Sequence, residues 1–373
     1  MKFVLAPDSF KESMTSMEAC NAMERGIKKV FKDAECIKVP MADGGEGTVE
    51  ALVHATFGRI ERVNVTGPLG NKVEAFYGVL GNGKTAVIEM ASASGIQLVK
   101  REERNPLITT TFGTGELIKA ALDQGIKHLV IGIGGSATND GGCGMLQALG
   151  GKLLDKDGNQ IAFGGGALKD IESIDLSSLD ERLKEVSIEV ACDVTNPLVG
   201  EKGASAVFGP QKGATEEVVK ELDNNLAHYA SVIKKDLGKE VSHIEGSGAA
   251  GGLGAALLLL GGELKRGIEL VIKHTELAEK VKGADFVFTG EGSIDDQTIY
   301  GKTPMGVATV AKENGVSTIA FSGKVGEGIE GLYEIGIKSI FSIMTGVLTL
   351  DEALKEGSRN LELTTENVVR LLK

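Results

Sequence analysis

Glycine falls in clusters set against apolar runs, GIGGSATNDGG at 132–142 and GSGAAGGLG at 246–254, and no other feature limits so closely what this chain can fold into. There are 52 glycines among 373 residues, about twice ordinary usage, accompanied by only 7 prolines. Collagen-like and low-complexity chains are thereby excluded. Glycines grouped in this way turn the chain tightly or let backbone approach a ligand, and they hint at phosphate chemistry.

The segments around the clusters alternate between strand and helix. Lys2 to Leu5 reads as a short buried strand, and Thr15 to Glu18 forms a capping box ahead of a helix bearing Met17, Cys20, Ile27, Val30 and Phe31. A strand near Ile37 to Val39 leads to DGGEG and a helix that ends near Gly58. The pattern returns at Asp285 to Thr289, at a helix start on Thr303 and Pro304, and at strands Thr318 to Ser322 and Ile340 to Met344. Between these ends, VEAFYGVL and TAVIEM alternate about GNGK, an Asn-Gly hairpin signal.

A chain of this length exceeds what one core usually supports. The expected fold is therefore α/β in two domains. Residues 1–66 plus 277–373 form a discontinuous doubly wound domain of flavodoxin or Rossmann type, and 67–276 form an inserted second α/β domain with a cleft between the two.

Composition removes several classes. A net charge of −12 and 16 aromatics without tryptophan argue against a nucleic-acid partner. Cys20, Cys36, Cys143 and Cys192 show no CxxC spacing and the histidines no HExxH, so no zinc site is expected. The longest apolar run, Ala255 to Leu260, is too short for a bilayer, and the N-terminal apolar stretch is too short for a signal sequence. A cytoplasmic protein acting on a small molecule is expected, without membrane partner; a homo-oligomer is compatible with all of this.

One segment, Gly78 to Thr85, matches the Walker A pattern GxxxxGK[ST] in full. That motif needs its lysine and threonine to open a helix, whereas Thr85 to Met90 is β-rich, so a surface hairpin is the better reading. HLVIGIGGSATNDGG is the stronger candidate, because a strand delivers the chain into small polar residues whose amides can hold an anion. Two glycine fingerprints, Gly132 to Ala137 and Gly246 to Gly251, keep a nicotinamide-dependent dehydrogenase of a small hydroxy acid as the alternative, although neither leads to a clear second strand ending in an acidic residue.

Carboxylates and cations also gather after strands, the usual ligand side of open α/β sheets. Asp8 and Lys11 follow the first strand, Asp43 and Glu46 sit in DGGEG, Asp193 ends a strand before Asn196 and Pro197, and Glu291 and Asp295 follow FVFTG. Plain alternatives stand beside these: Asp43 with Glu46 can cap a helix, Asp193 can make an Asx-turn, and Lys212 and Lys302 can be solvated surface charges.

Eight ordered blocks, APDSFK, DGGEGT, TTTFGTGEL, GIGGSATNDGG, ACDVTNPL, GPQKGA, GAAGGLG and TGEGSIDDQT, together resemble the bacterial type-1 glycerate kinase family over nearly the whole chain. The resemblance implies phosphoryl transfer from ATP with Mg2+ to D-glycerate, giving 2-phosphoglycerate, with 3-phosphoglycerate as the other product to be considered. On that basis Asp193, Asp295 and Lys11 are expected to be catalytic, and Asp43, Glu46 and Glu291 to hold the metal. Asp8, Ser9, Gly134, Gly135, Ser136, Thr138, Asn139, Lys212 and Gly290 are expected to bind phosphate or substrate. Ser293 stands where the family often carries arginine, which leaves Lys11, Lys212 or Lys302 to supply the missing cation.

Overall fold

The computed structural model describes residues Met1–Lys373 and divides into two compact units. Thirteen strands order the chain. The first six are β1 (Lys2–Leu5), β2 (Glu35–Lys38), β3 (Arg59–Thr66), β4 (Lys72–Val79), β5 (Thr85–Glu89) and β6 (His128–Gly132). Next come β7 (Lys152–Leu154), β8 (Ser173–Asp175), β9 (Ser187–Ala191) and β10 (Glu263–Lys265), followed by β11 (Phe286–Ile294), β12 (Ser317–Val325) and β13 (Ile337–Ser342).

The first unit comprises Met1–Asp43, Glu50–Gly58 and Ile268–Lys373. Its sheet runs β13-β12-β11-β1-β2 with every pair parallel. Alternation along the strands sends Phe3, Leu5, Phe288 and Phe321 to one face, where they pack on Met23 and Ile27 of helix Ser16–Lys28 and on Leu361 and Val369 of helix Gly357–Leu371. Ile294 and Ala320 cluster with Ala308 of helix Thr303–Glu313 and Leu332 of helix Glu330–Ile335. Burial of both faces explains the continuous apolar runs of these strands. The capping box is formed: Glu18 N donates to Thr15 Oγ1 and Thr15 N to Glu18 Oε2.

The second unit comprises Gly44–Val49 and Arg59–Gly267. Its sheet is ordered β10-β9-β6-β5-β4-β3, parallel from β10 to β5 and antiparallel from β5 to β3. A two-stranded ribbon, β7 with β8, and the long helix Glu216–Leu237 complete it.

Two expectations shift. β3 pairs with β4 along its whole length, from Arg59 opposite Val79 to Thr66 opposite Lys72, so 59–66 belongs to the second unit and not to the first. The later crossing lies at Gly267/Ile268 instead of 277. Local alternation misleads there because helix Thr48–Thr56 followed by β3 looks like one more turn of the first unit's winding.

The strand expected to stop at Thr289 runs on to Ile294, staying in register with β12 as far as Ile294 opposite Val325. The glycines that read as a loop permit close strand approach: a Cβ on Gly290 would meet the Phe321 carbonyl oxygen at 2.2 Å. Glu291 therefore projects from a strand and not from a loop.

Candidate active site

In the first unit, the carboxylates expected after strands do converge. β1 ends at Leu5 and hands the chain to Asp8, whose amide donates to Gly290 O at 2.8 Å and so registers the loop against β11. Asp8 is 9% exposed; its Oδ1 accepts from Ser9 N at 2.6 Å and its Oδ2 from Thr303 Oγ1. Glu291 Oε1 accepts from Thr298 Oγ1 at 2.9 Å. Lys302, at the N-cap of helix Thr303–Glu313, places Nζ 3.9 Å from Glu291 Oε1 and 3.6 Å from Asp295 Oδ1.

These groups feel one another. Burial raises Asp8 to about 6, and the charge of Asp43 adds to the effect, against the opposing bonds from Thr303 and Ser9. Burial likewise raises Glu291 to about 7, with Asp8 and Asp43 adding to it while Lys302 and Thr298 oppose. Three carboxylates thus share a space where full ionisation is unfavourable, an environment that a divalent cation relieves. Lys11 and Ser9 follow Asp8 in the same loop, Lys11 exposed and Ser9 half-buried. Gly290 is placed within the sheet, its carbonyl taken by Asp8.

The second unit organises the other candidates. β6 leads into Gly134 and Gly135, both exposed, and then into Ser136, Thr138 and Asn139, all buried. Asp140, 1% exposed, ties this loop down. Its Oδ2 accepts from Thr111 N and Thr111 Oγ1, each at 2.8 Å, and from Gly144 N at 3.3 Å, while Oδ1 accepts from Gly142 N at 3.1 Å. Burial raises its pKa, against the pull of these donors.

Lys212 is not a surface charge. It is 1% exposed, donates from Nζ to Thr138 O at 2.6 Å, and is lowered by burial to about 7.

The remaining candidates are more open. Glu46 is exposed in the turn before helix Thr48–Thr56, and the Val49 amide of that helix donates to Glu89 Oε1 at 2.8 Å. Asp193 is exposed after β9 and accepts from Gly267 N at 3.0 Å. Gly78 to Thr85 is the expected hairpin: Gly78 lies opposite Val87 in the antiparallel β4–β5 pair, and Asn82 Oδ1 accepts from Lys84 N at 2.9 Å and Thr85 N at 3.0 Å. No helix starts there, so the motif lacks the geometry of a phosphate loop.

Comparison with known proteins decides the family. The profile described as the Glycerate kinase family matches residues 3–373. The chain belongs to the glycerate kinase family. It is 55% identical over 373 residues to a glycerate kinase of Haemophilus influenzae, spanning 100% of this chain and 99% of that one. To the glycerate 2-kinase of Escherichia coli it is 54% identical over 373 residues, spanning 100% and 98%. A crystal structure described as glycerate kinase 2, from Salmonella typhimurium LT2, superposes with a TM-score of 0.92 at 53% identity, covering 100% of this chain and 98% of that one.

Membership of the glycerate kinase family removes the dehydrogenase alternative, and the structure supplies the physical reason at one fingerprint. A Cβ on Gly251 would meet Thr138 O at 2.0 Å, so that glycine is required by chain packing, with no need of a dinucleotide. Sequence did not single out Thr298 or Thr111; it read Thr303 only as a helix start and Asp140 only as one polar residue of the GIGGSATNDGG loop. The block TTTFGTGEL carried the signal for Thr111, and TGEGSIDDQT that for Thr298.

Proposed function

We propose that this chain transfers the γ-phosphoryl group of ATP to D-glycerate, giving 2-phosphoglycerate, and that it does so in the cytoplasm. The observation that carries the reading is 54% identity over the full length to a glycerate 2-kinase. The first unit's acidic loops support it, because phosphoryl transfer needs carboxylates for a metal and a proton and cations for developing charge.

Asp43 and Glu291 of the first unit would hold Mg2+, which screens phosphate charge when bound. Crowding among Asp8, Asp43 and Glu291 favours such a cation, and hard oxygen donors suit it. Asp8 and Ser9 in the loop after β1, with Gly290 of β11 whose carbonyl registers that loop, bind phosphate or substrate. Gly134, Gly135, Ser136, Thr138, Asn139 and Lys212 bind phosphate or substrate.

In the reaction the substrate hydroxyl oxygen bonds to the γ-phosphorus, the bond to the β-γ bridging oxygen breaks, and ADP leaves. A carboxylate takes the hydroxyl proton. Asp295 is favoured over Asp193 for that role, since it shares Lys302 with Glu291 whereas Asp193 is engaged by the Gly267 amide. Lys302 joins Lys11 as the cation available to the transferring group.

A coupled ADP assay with D-glycerate, with the product resolved by phosphorus NMR, tests this reading. ADP release with a 2-phosphoglycerate resonance is expected. Absence of glycerate-dependent ADP release would overturn the activity, and a 3-phosphoglycerate resonance would overturn the regiochemistry.

A further inference from the structure

Lys212 occupies the short helical turn Pro210–Lys212 of the second unit, and of its three N–H donors one is spent, on Thr138 O at 2.6 Å. No carboxylate contacts it. Two donors of a cation therefore remain unused in a place that water does not reach, where an uncompensated charge is costly.

Two further polar atoms beside this contact are also buried without a partner, Thr138 Oγ1 and Asn139 Oδ1, on residues that are both 0% exposed. Interiors seldom leave such atoms unpaired. Asn139 Nδ2 is spent on Ser205 Oγ at 3.0 Å, which fixes the amide.

The other charged groups at this turn do not fill the gap. Asp140 is occupied by Thr111, Gly142 and Gly144, and Arg104 donates from Nη1 to Gln211 O at 3.2 Å. What is left is one buried lysine, one hydroxyl and one amide oxygen, with Arg104 Nε a further buried donor that has no partner. Those are the complements of a carboxylate and a hydroxyl group carried on one small molecule.

We propose that Lys212, Thr138 and Asn139 hold the carboxylate end of the hydroxy-acid substrate, an assignment that rests on the glycerate-phosphorylating reading above. Lys212 and Thr138 Oγ1 donate to the carboxylate, and Asn139 Oδ1 accepts from the 3-hydroxyl, which leaves the 2-hydroxyl free to react. A single buried lysine matches a single negative charge, whereas a nucleotide's phosphates bring several. Earlier in the same loop, Gly134 and Gly135 are exposed to solvent.

A linked proton follows from this geometry. Burial lowers Lys212 to about 7, with the charge of Asp140 opposing the effect. A bound carboxylate restores it toward the ordinary lysine range, so binding above pH 7 takes up a proton.

Titration calorimetry of the full chain with D-glycerate and without ATP, at pH 8 in two buffers of different ionisation enthalpy, reads that proton directly. Uptake is expected in the native chain and is lost in Lys212→Met, whose KM for glycerate rises about tenfold or more while KM for ATP stays within about twofold. Thr138→Val gives the same KM split and serves if Lys212→Met does not fold.

Glycerate binding without proton uptake, or an unchanged glycerate KM in both variants, overturns the subsite while leaving the kinase reading standing. Uptake on adding ATP but not glycerate moves the anion to a nucleotide phosphate and also overturns it. Failure of the native chain to form ADP from glycerate overturns the activity itself, separately from the calorimetry.

Discussion

Thr303 Oγ1 donates to Asp8 Oδ2 across 295 residues of sequence, joining the loop after β1 to the start of the helix after β11. The other carboxylate oxygen takes the Ser9 amide. Even with both oxygens bonded, Asp8 is raised to about 6, because it is buried and faces the charge of Asp43. The fold maintains there a charge that packing alone disfavours, as sites built for ligands often do.

Replacing Asp8 should therefore trade activity for stability. Its folded pKa of about 6 lies above the ordinary 3.8, so between those values the folded state binds more protons than the unfolded one. Stability from this group is present below pH 3.8 and lost as pH rises toward 6. At pH 7.5 Asp8→Asn should raise stability by about 2 to 3 kcal/mol, read by urea unfolding, while turnover falls at least about a hundredfold. A destabilised Asp8→Asn would show that the carboxylate's bonds outweigh its burial.

Thr303 is expected to act through Asp8. Thr303→Val removes the donor and leaves a buried carboxylate oxygen unpaired, for an expected loss of about tenfold to a hundredfold in kcat. Thr303→Ser keeps the hydroxyl and should stay within about threefold. Steady-state kinetics on the pair separates lost hydrogen bonding from lost packing, since valine retains the volume and serine does not.

Asp140 should behave in the opposite sense to Asp8. Its oxygens accept from three backbone amides and the Thr111 hydroxyl, so Asp140→Asn turns an amide group toward donors that need an acceptor. A loss of about 2 to 4 kcal/mol is expected by urea unfolding. A loss below 1 kcal/mol would mean that the loop re-pairs its amides elsewhere.

Lys84 carries the complete Walker A match and should matter little. It is exposed in a hairpin turn held by Asn82, and no helix N-terminus stands behind it. Lys84→Ala is expected to leave KM for ATP and kcat within about twofold; a rise of tenfold or more in KM would place a phosphate at the hairpin.

The contrast between Lys84 and Lys212 shows what sequence could and could not convey. Alternation along TAVIEM and the Asn-Gly turn are local signals, and they located β5 and its hairpin correctly. Lys212 is buried with its ammonium on Thr138 O, 74 residues away, and no local pattern reports that. The bond from Thr303 to Asp8 is equally non-local. Gly290 misled for the reverse reason, reading as a loop glycine while serving strand contact with β12. Order of blocks was more informative than any single motif, because family membership preserves long-range partners that spacing cannot express.

The last expectation concerns the packing beneath the Thr138 loop. Gly251 has φ +69°, and a Cβ there would lie 2.0 Å from Thr138 O and 2.6 Å from Asn139 Cα, both backbone atoms that cannot rotate away. Its own carbonyl accepts from Gly141 N at 3.0 Å, so Gly251 is held as well. Gly261 offers a control: φ is +84° and a Cβ meets nothing within 4 Å. Gly261→Ala should cost about 1 kcal/mol from backbone strain alone, and Gly251→Ala about 3 kcal/mol or more from strain plus overpacking. Because the displaced atom is the carbonyl that Lys212 holds, Gly251→Ala should also raise the glycerate KM, whereas Gly261→Ala should not. Urea unfolding and glycerate kinetics on the two variants check both halves, and equal stability losses would mean that the loop yields to the methyl group without strain.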